Sequence, residues 1–202
     1  MADQAQYRPE PFLKTEDLTS IVITLHGIDE EHRSAILARI KFWNRRGFPR
    51  AIHVGTGKTA RYGSDKLFQV LLAFELAELG HTPAHVFALI NENWSQLRVD
   101  IATAWKVKLG LEEHCQNYWT IPSTAFSSRF RDPAHLGGKI TKLDLSPEAN
   151  IVHSQWLTNT ISVPSWSERI FGILRDNYFP RLPLRDFMGT LFEPYEGSTI
   201  EA

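Results

Sequence analysis

The 202-residue sequence predicts a mainly α protein with a small β component, a helical N-terminal half followed by an α+β C-terminal half. Three observations point there. Apolar residues at helical spacing, punctuated by cap and stop signals, run from residue 15 to about residue 94. Beyond Glu113 the pattern changes to short runs rich in β-branched and aromatic residues, separated by Pro, Gly, Asn and Ser. Between Arg33 and Lys66, nine basic residues stand against one acid, Asp65, in a chain of net charge −1. A local basic block on a neutral protein is what a phosphate-backbone footprint looks like in sequence.

Residues 1–12 carry Pro9, Pro11 and polar side chains and read as a loose tail. Thr15 caps a first helix whose apolar set is Leu18, Ile21, Val22 and Leu25. The β-branched run Ser20–Thr24 suits a strand equally well, so the helix rests on spacing alone. Gly27 ends it, and Asp29 caps the next segment. Glu30–Arg46 is a second helix with Ile36, Ile40 and Trp43 on one face and basic residues on the others. Acids open it and Arg45-Arg46 close it, as the helix macrodipole favours. Gly47 and Pro49 stop it.

Ala51–Tyr62 reads as a β-hairpin turning through Gly55-Thr56-Gly57-Lys58. Ser64 caps an apolar helix over 65–79 that Gly80 ends, and Thr82-Pro83 starts another over 85–94. Leu97, Ile101 and Trp105 either continue that helix or form a further one ending at Gly110. Tyr118–Ile121, Ile140–Leu143 and Thr160–Val163 read as strands. Ser165 caps a helix to Asn177, and 183–192 holds a last helical turn or two. These elements suggest a tail over 1–12, a first domain over 13–96 and a second over 97–202.

Composition narrows the function classes. No apolar run approaches the roughly 20 residues of a membrane helix. The N-terminus lacks the basic-then-apolar pattern of a secretory signal. Cys115 is the lone cysteine, which excludes an internal disulfide and a multi-cysteine metal cluster and fits a reducing cytoplasm. Gly55-Thr56-Gly57-Lys58-Thr59 ends like a phosphate-binding loop, but the first required glycine falls on Ile52 and no long helix follows. His81 and His85 are four apart without a surrounding His-Glu-x-x-His, and no nucleophile-elbow pattern is present. The sequence therefore predicts a protein that is not an enzyme and uses no cofactor or metal.

What remains is the cationic helix and glycine loop. A helix bearing Arg, Lys and Asn can enter the major groove, and a glycine loop lets backbone and Lys58 approach phosphates. Ile40-Lys41-Phe42-Trp43-Asn44-Arg45-Arg46-Gly47-Phe48 resembles the MerR-family segment hydrophobe-Arg-Tyr-Tyr-Glu-x-x-Gly-Leu. Arg61-Tyr62 is similar to that family's wing closure, and Leu76–Thr82 to its later Leu-Gly-Phe-Ser junction. The resemblance covers residues 15–95 and implies a winged helix-turn-helix that binds double-stranded DNA. By position, Lys41 and Phe42 would take the family's recognition-helix roles and Arg61 that of its wing arginine. The family's dimerising heptad helix and metal-binding cysteines have no counterpart here.

The expected DNA-contacting residues are Arg33, Arg39, Lys41, Phe42, Asn44 and Arg45 on the helix, with Lys58, Thr59, Arg61 and Tyr62 on the wing. The expected function is a cytoplasmic, homodimeric, sequence-specific transcriptional regulator. Its C-terminal half would serve dimerisation, effector sensing or contact with RNA polymerase or another protein. The alternatives are an architectural or recombination directionality factor using the same winged helix, and a protein-interaction module whose basic face is merely solvated.

Overall fold

Helical spacing decides the first element against its β-branched residues. In the computed structural model, which describes residues 12–52, 60–113, 117–122, 141–144, 158–178, 184–189 and 191, α1 spans Thr15–His26. It buries Leu18, Ile21, Val22 and Leu25 together, and tertiary burial outweighs the weak strand preference of Ile and Val. The cap is Lys14, one residue before the Thr15 that sequence suggests. The Lys14 backbone N–H donates to the Asp17 carboxylate at 2.8 Å. Gly27 closes the helix in the left-handed region, φ 62°, where a side chain would be strained.

A 3-10 turn, Glu30–His32, leads into α2, Arg33–Arg45. The second helix therefore begins three residues later than its charge pattern suggests. Gly47, at φ 78°, turns the chain so that the Phe48 amide donates back to the Trp43 carbonyl at 3.0 Å. The helix α3, Ser64–Glu78, follows Gly63, and α4 starts at Pro83 behind Thr82, as the cap and N1 proline predict.

The expected hairpin at Ala51–Tyr62 lies largely outside the described residues. At its ends, Ala51 occupies a turn with φ 58°, and Tyr62 bridges antiparallel to Leu13 through two 2.9 Å backbone bonds.

The division at residues 96 and 97 needs correction. The helix α4 runs unbroken over Pro83–Lys108, and its buried stripe continues through Trp94, Leu97, Ile101 and Trp105. No Gly or Pro interrupts that stretch before Gly110. One apolar cluster then joins residues from Leu13 to Leu191, so the two halves share a core.

The C-terminal half supplies β1 (Asn117–Pro122), β2 (Thr141–Asp144) and β3 (Thr158–Ser162), an antiparallel sheet ordered β2-β1-β3. The strand β3 passes directly into α5, Val163–Tyr178, two residues before the expected Ser165 cap, and α6 spans Leu184–Gly189. The sheet is fixed to α4 by the Trp119 indole N–H, which donates to the buried Asp100 carboxylate at 2.9 Å. Trp166 of α5 meets both Trp119 and Phe68 edge-on. The helix α5 also braces α1. The Arg169 guanidinium donates to the Leu25 carbonyl, and the Tyr178 hydroxyl to the Asp17 carbonyl at 3.0 Å. Among the described residues no helix is long and apolar enough to cross a membrane.

Candidate nucleic-acid interface

The basic block of the sequence is organised by α2. Ile36, Ile40, Trp43 and Asn44 form its buried side. Ser34, Ala35, Ala38, Arg39, Lys41, Phe42, Arg45 and Arg46 are exposed. At about 100° per residue, Ala35, Ala38 and Phe42 make the outer crest. Lys41 and Arg45 line one edge of that crest, and Arg39 and Arg46 line the other.

Aromatic rings hold both outer arginines on their edge. The Arg39 guanidinium lies 5.9 Å from the Phe74 ring centre, and that of Arg46 lies 5.3 Å from Phe42. Phe42 is 41% exposed whereas Trp43 beside it is 2% exposed. Of the two aromatic residues, Trp43 therefore serves the core and Phe42 faces outward. Exposed Arg61 stacks on Phe12 at 4.2 Å, a cation–π contact that orients a guanidinium without neutralising it.

Among the described residues, no acid forms an ion pair with this surface. The one carboxylate of the block, Asp65, is turned inward, accepting the Trp94 indole N–H at 2.7 Å and the Gln69 amide at 2.9 Å. Its burial pushes the carboxyl pKa up, against the lowering effect of the Trp94 bond. Lys66 is drawn to the Ala51 carbonyl at 3.3 Å and so fastens the turn after α2 to the start of α3. Among the described residues, every ion pair lies outside residues 39–66.

Three of the expected contact residues are engaged within the protein. Asn44 is 4% exposed, and its side-chain amide donates to the Tyr62 hydroxyl at 2.6 Å, with Tyr62 itself fully buried. Burial raises the Tyr62 phenol pKa, against the lowering effect of its bonds with Asn44 and Thr15. This pair is an internal strut that locks the chain beside Arg61 to the Lys41–Arg45 side of α2, with both side chains buried. Arg33 is engaged as well. Its guanidinium makes two bonds to Glu30, at 2.6 and 2.7 Å, and reaches the Ser20 hydroxyl at 3.1 Å. It ties the start of α2 to α1.

Arg39, Lys41, Phe42, Arg45 and Arg61 remain exposed, while Lys58 and Thr59 lie outside the described residues. Arg46 and Arg50 join the exposed set, although sequence offered Arg46 only as a helix cap. Their signal was the basic run itself.

The strut gives a direct check on these assignments. Tyr62→Phe is expected to lower stability by about 1–3 kcal/mol in urea titrations, because the buried Asn44 amide loses its acceptor. Affinity for nucleic acid should stay at the parent value. A loss of affinity at unchanged stability would return Tyr62 to the contact surface.

No protein-family model, curated protein or solved structure gives a significant match to this chain.

Proposed function

We propose that the chain binds double-stranded DNA, with α2 lying in the major groove. The observation that carries this reading is the uncompensated charge: Arg39, Lys41, Arg45, Arg46 and Arg61 are exposed with no carboxylate partner among the described residues. A helix with its side chains is about 10–12 Å across and the major groove about 12 Å wide. Cations on both edges of the crest then reach phosphates on both walls. Ala35, Ala38 and Phe42 face the base edges, where alanine and phenylalanine suit thymine methyl groups.

With Asn44 turned inward, base-edge hydrogen bonding falls to the arginines, and phosphate contact supplies most of the affinity. Arg61 reaches the flanking backbone in the manner of a wing, and the whole reads as a winged helix-turn-helix of a transcriptional regulator. Paired in a homodimer, two such helices would read two half-sites.

Salt titration of binding to a duplex, followed by fluorescence anisotropy, tests the reading. Five phosphate contacts predict a slope of log K against log salt of about −4 to −5. Replacing Arg39, Lys41, Arg45 and Arg46 by alanine should flatten the slope by about 3–4 while the melting temperature holds. Equal, salt-independent binding by parent and variant would refute DNA recognition by α2.

A further inference from the structure

A cavity that shares no residue with the α2 surface is independent of the DNA reading. The C-terminal turns of α4, one side of α5 and Leu184 of α6 line this partly open cavity of about 290 Å³. That volume would hold about ten waters and sits at the lower end of small-molecule sites. Its floor is aromatic. Trp105 and Phe171 are both buried and meet edge-on, with ring centres 4.8 Å apart. Its mouth is charged, with Lys108, Arg175 and Glu168.

Two features suggest that the cavity is kept open for an occupant. The first is Gly172, which lines it from within α5. Glycine inside a helix is destabilising relative to alanine. Nothing in the fold asks for glycine here, since a Cβ built on Gly172 meets no atom within 4 Å and no left-handed φ is present. The space withheld is the cavity itself.

The second feature is the distribution of charge at the mouth. Lys108 and Glu168 satisfy each other at 2.6 Å. Arg175 gives its Nε to Asp176 at 2.7 Å, which leaves the terminal Nη donors of a rigid, planar fork at the rim. A flat apolar ring below a guanidinium fork matches an aromatic ring that carries a carboxylate.

We propose that this cavity binds a small aromatic carboxylate, with its ring on Trp105 and Phe171 and its carboxylate on Arg175. Isothermal titration with 2-naphthoate and its uncharged amide, 2-naphthamide, tests the assignment on the full chain. The acid is expected to bind about tenfold or more tightly than the amide, since a hydrogen bond to a charged group is worth that ratio. Arg175→Gln should bring the acid down to the level of the amide.

Gly172→Leu should abolish binding of both by filling the space, and Gly172→Ala should weaken it while raising the melting temperature. The alanine variant keeps the test intact if leucine prevents folding. No binding at millimolar acid, equal binding of acid and amide, or binding that survives both Gly172 substitutions in folded protein would each overturn the proposal. None of these readouts uses nucleic acid, so a failure here leaves the α2 reading standing, and the reverse also holds.

Discussion

Replacing Trp43 by alanine is expected to cost about 3–5 kcal/mol, the usual loss for a large aromatic core residue. Trp43 is the inward anchor of α2, 2% exposed, and its indole meets three rings from three other segments. Phe74 of α3 lies at 4.6 Å, Phe87 of α4 at 5.8 Å and Phe48 of the turn after α2 at 6.3 Å between ring centres. Each such pair adds about 0.5–1.5 kcal/mol beyond the area it buries. Against a domain stability of about 5–15 kcal/mol, this one change removes about a fifth or more.

Urea unfolding should show the midpoint falling with little change in slope, because the surface exposed on unfolding is nearly the same. Its neighbour Phe42, half in solvent, is the control, and Phe42→Ala should stay within about 1 kcal/mol. Equal losses at the two positions would mean that α2 presents a different face to the core.

Acid should destabilise the protein through the junction between α3 and α4. His81 is 5% exposed, and its Nδ1 lies 3.0 Å from Nδ1 of buried His85, so one imidazole donates and the other accepts. Burial, and then the neighbouring His85, push the His81 pKa down to about 4 from its ordinary 6.5. Above pH 6.5 the imidazole is neutral in both folded and unfolded chains and pH has no leverage. As pH falls below 6.5 the unfolded chain takes up the proton first, and the folded chain follows only near pH 4.

Stability therefore drops across that window by up to about 3 kcal/mol and levels off below it. Unfolding free energies measured between pH 7 and pH 4 check the slope. His81→Asn should flatten the part of it that belongs to this residue. A parent protein whose stability is constant over the window would show that the pair takes up its proton without penalty.

The local chemistry of the helix ends was readable where a residue has one dominant physical role. Gly27, Gly47 and Gly110 supply left-handed stops, and Thr82-Pro83 supplies a start, each fixed by its own backbone. The buried Asn44 carried a signal too, since it continues the four-residue spacing of Ile36 and Ile40. A polar residue on an apolar stripe needs a partner, and that partner, Tyr62, is 18 positions away, beyond any periodicity.

The inward turn of Asp65 and the engagement of Arg33 by Glu30 and Ser20 also depend on which elements meet. So the basic block and its exposed cations Arg39, Lys41, Arg45 and Arg61 were visible in sequence, whereas the internal engagement of Arg33, Asn44 and Tyr62 was not. The length of α4 was ambiguous because residues 95–109 carry no stop signal. The change to β-rich composition downstream suggested a boundary that packing does not respect. The cavity beside Gly172 had no trace in composition or spacing.

The ties from Arg169 to Leu25 and from Tyr178 to Asp17 reach back 144 and 161 residues. On a ribosome the leading helices therefore emerge long before the one that braces them. At about 5–20 residues per second the wait lasts roughly 10–30 seconds. For part of it Phe68 and Trp105 also stand uncovered, since the Trp166 and Phe171 that later meet them are made well after them. The order of delivery, more than the strength of the finished packing, sets when this molecule is most prone to aggregate.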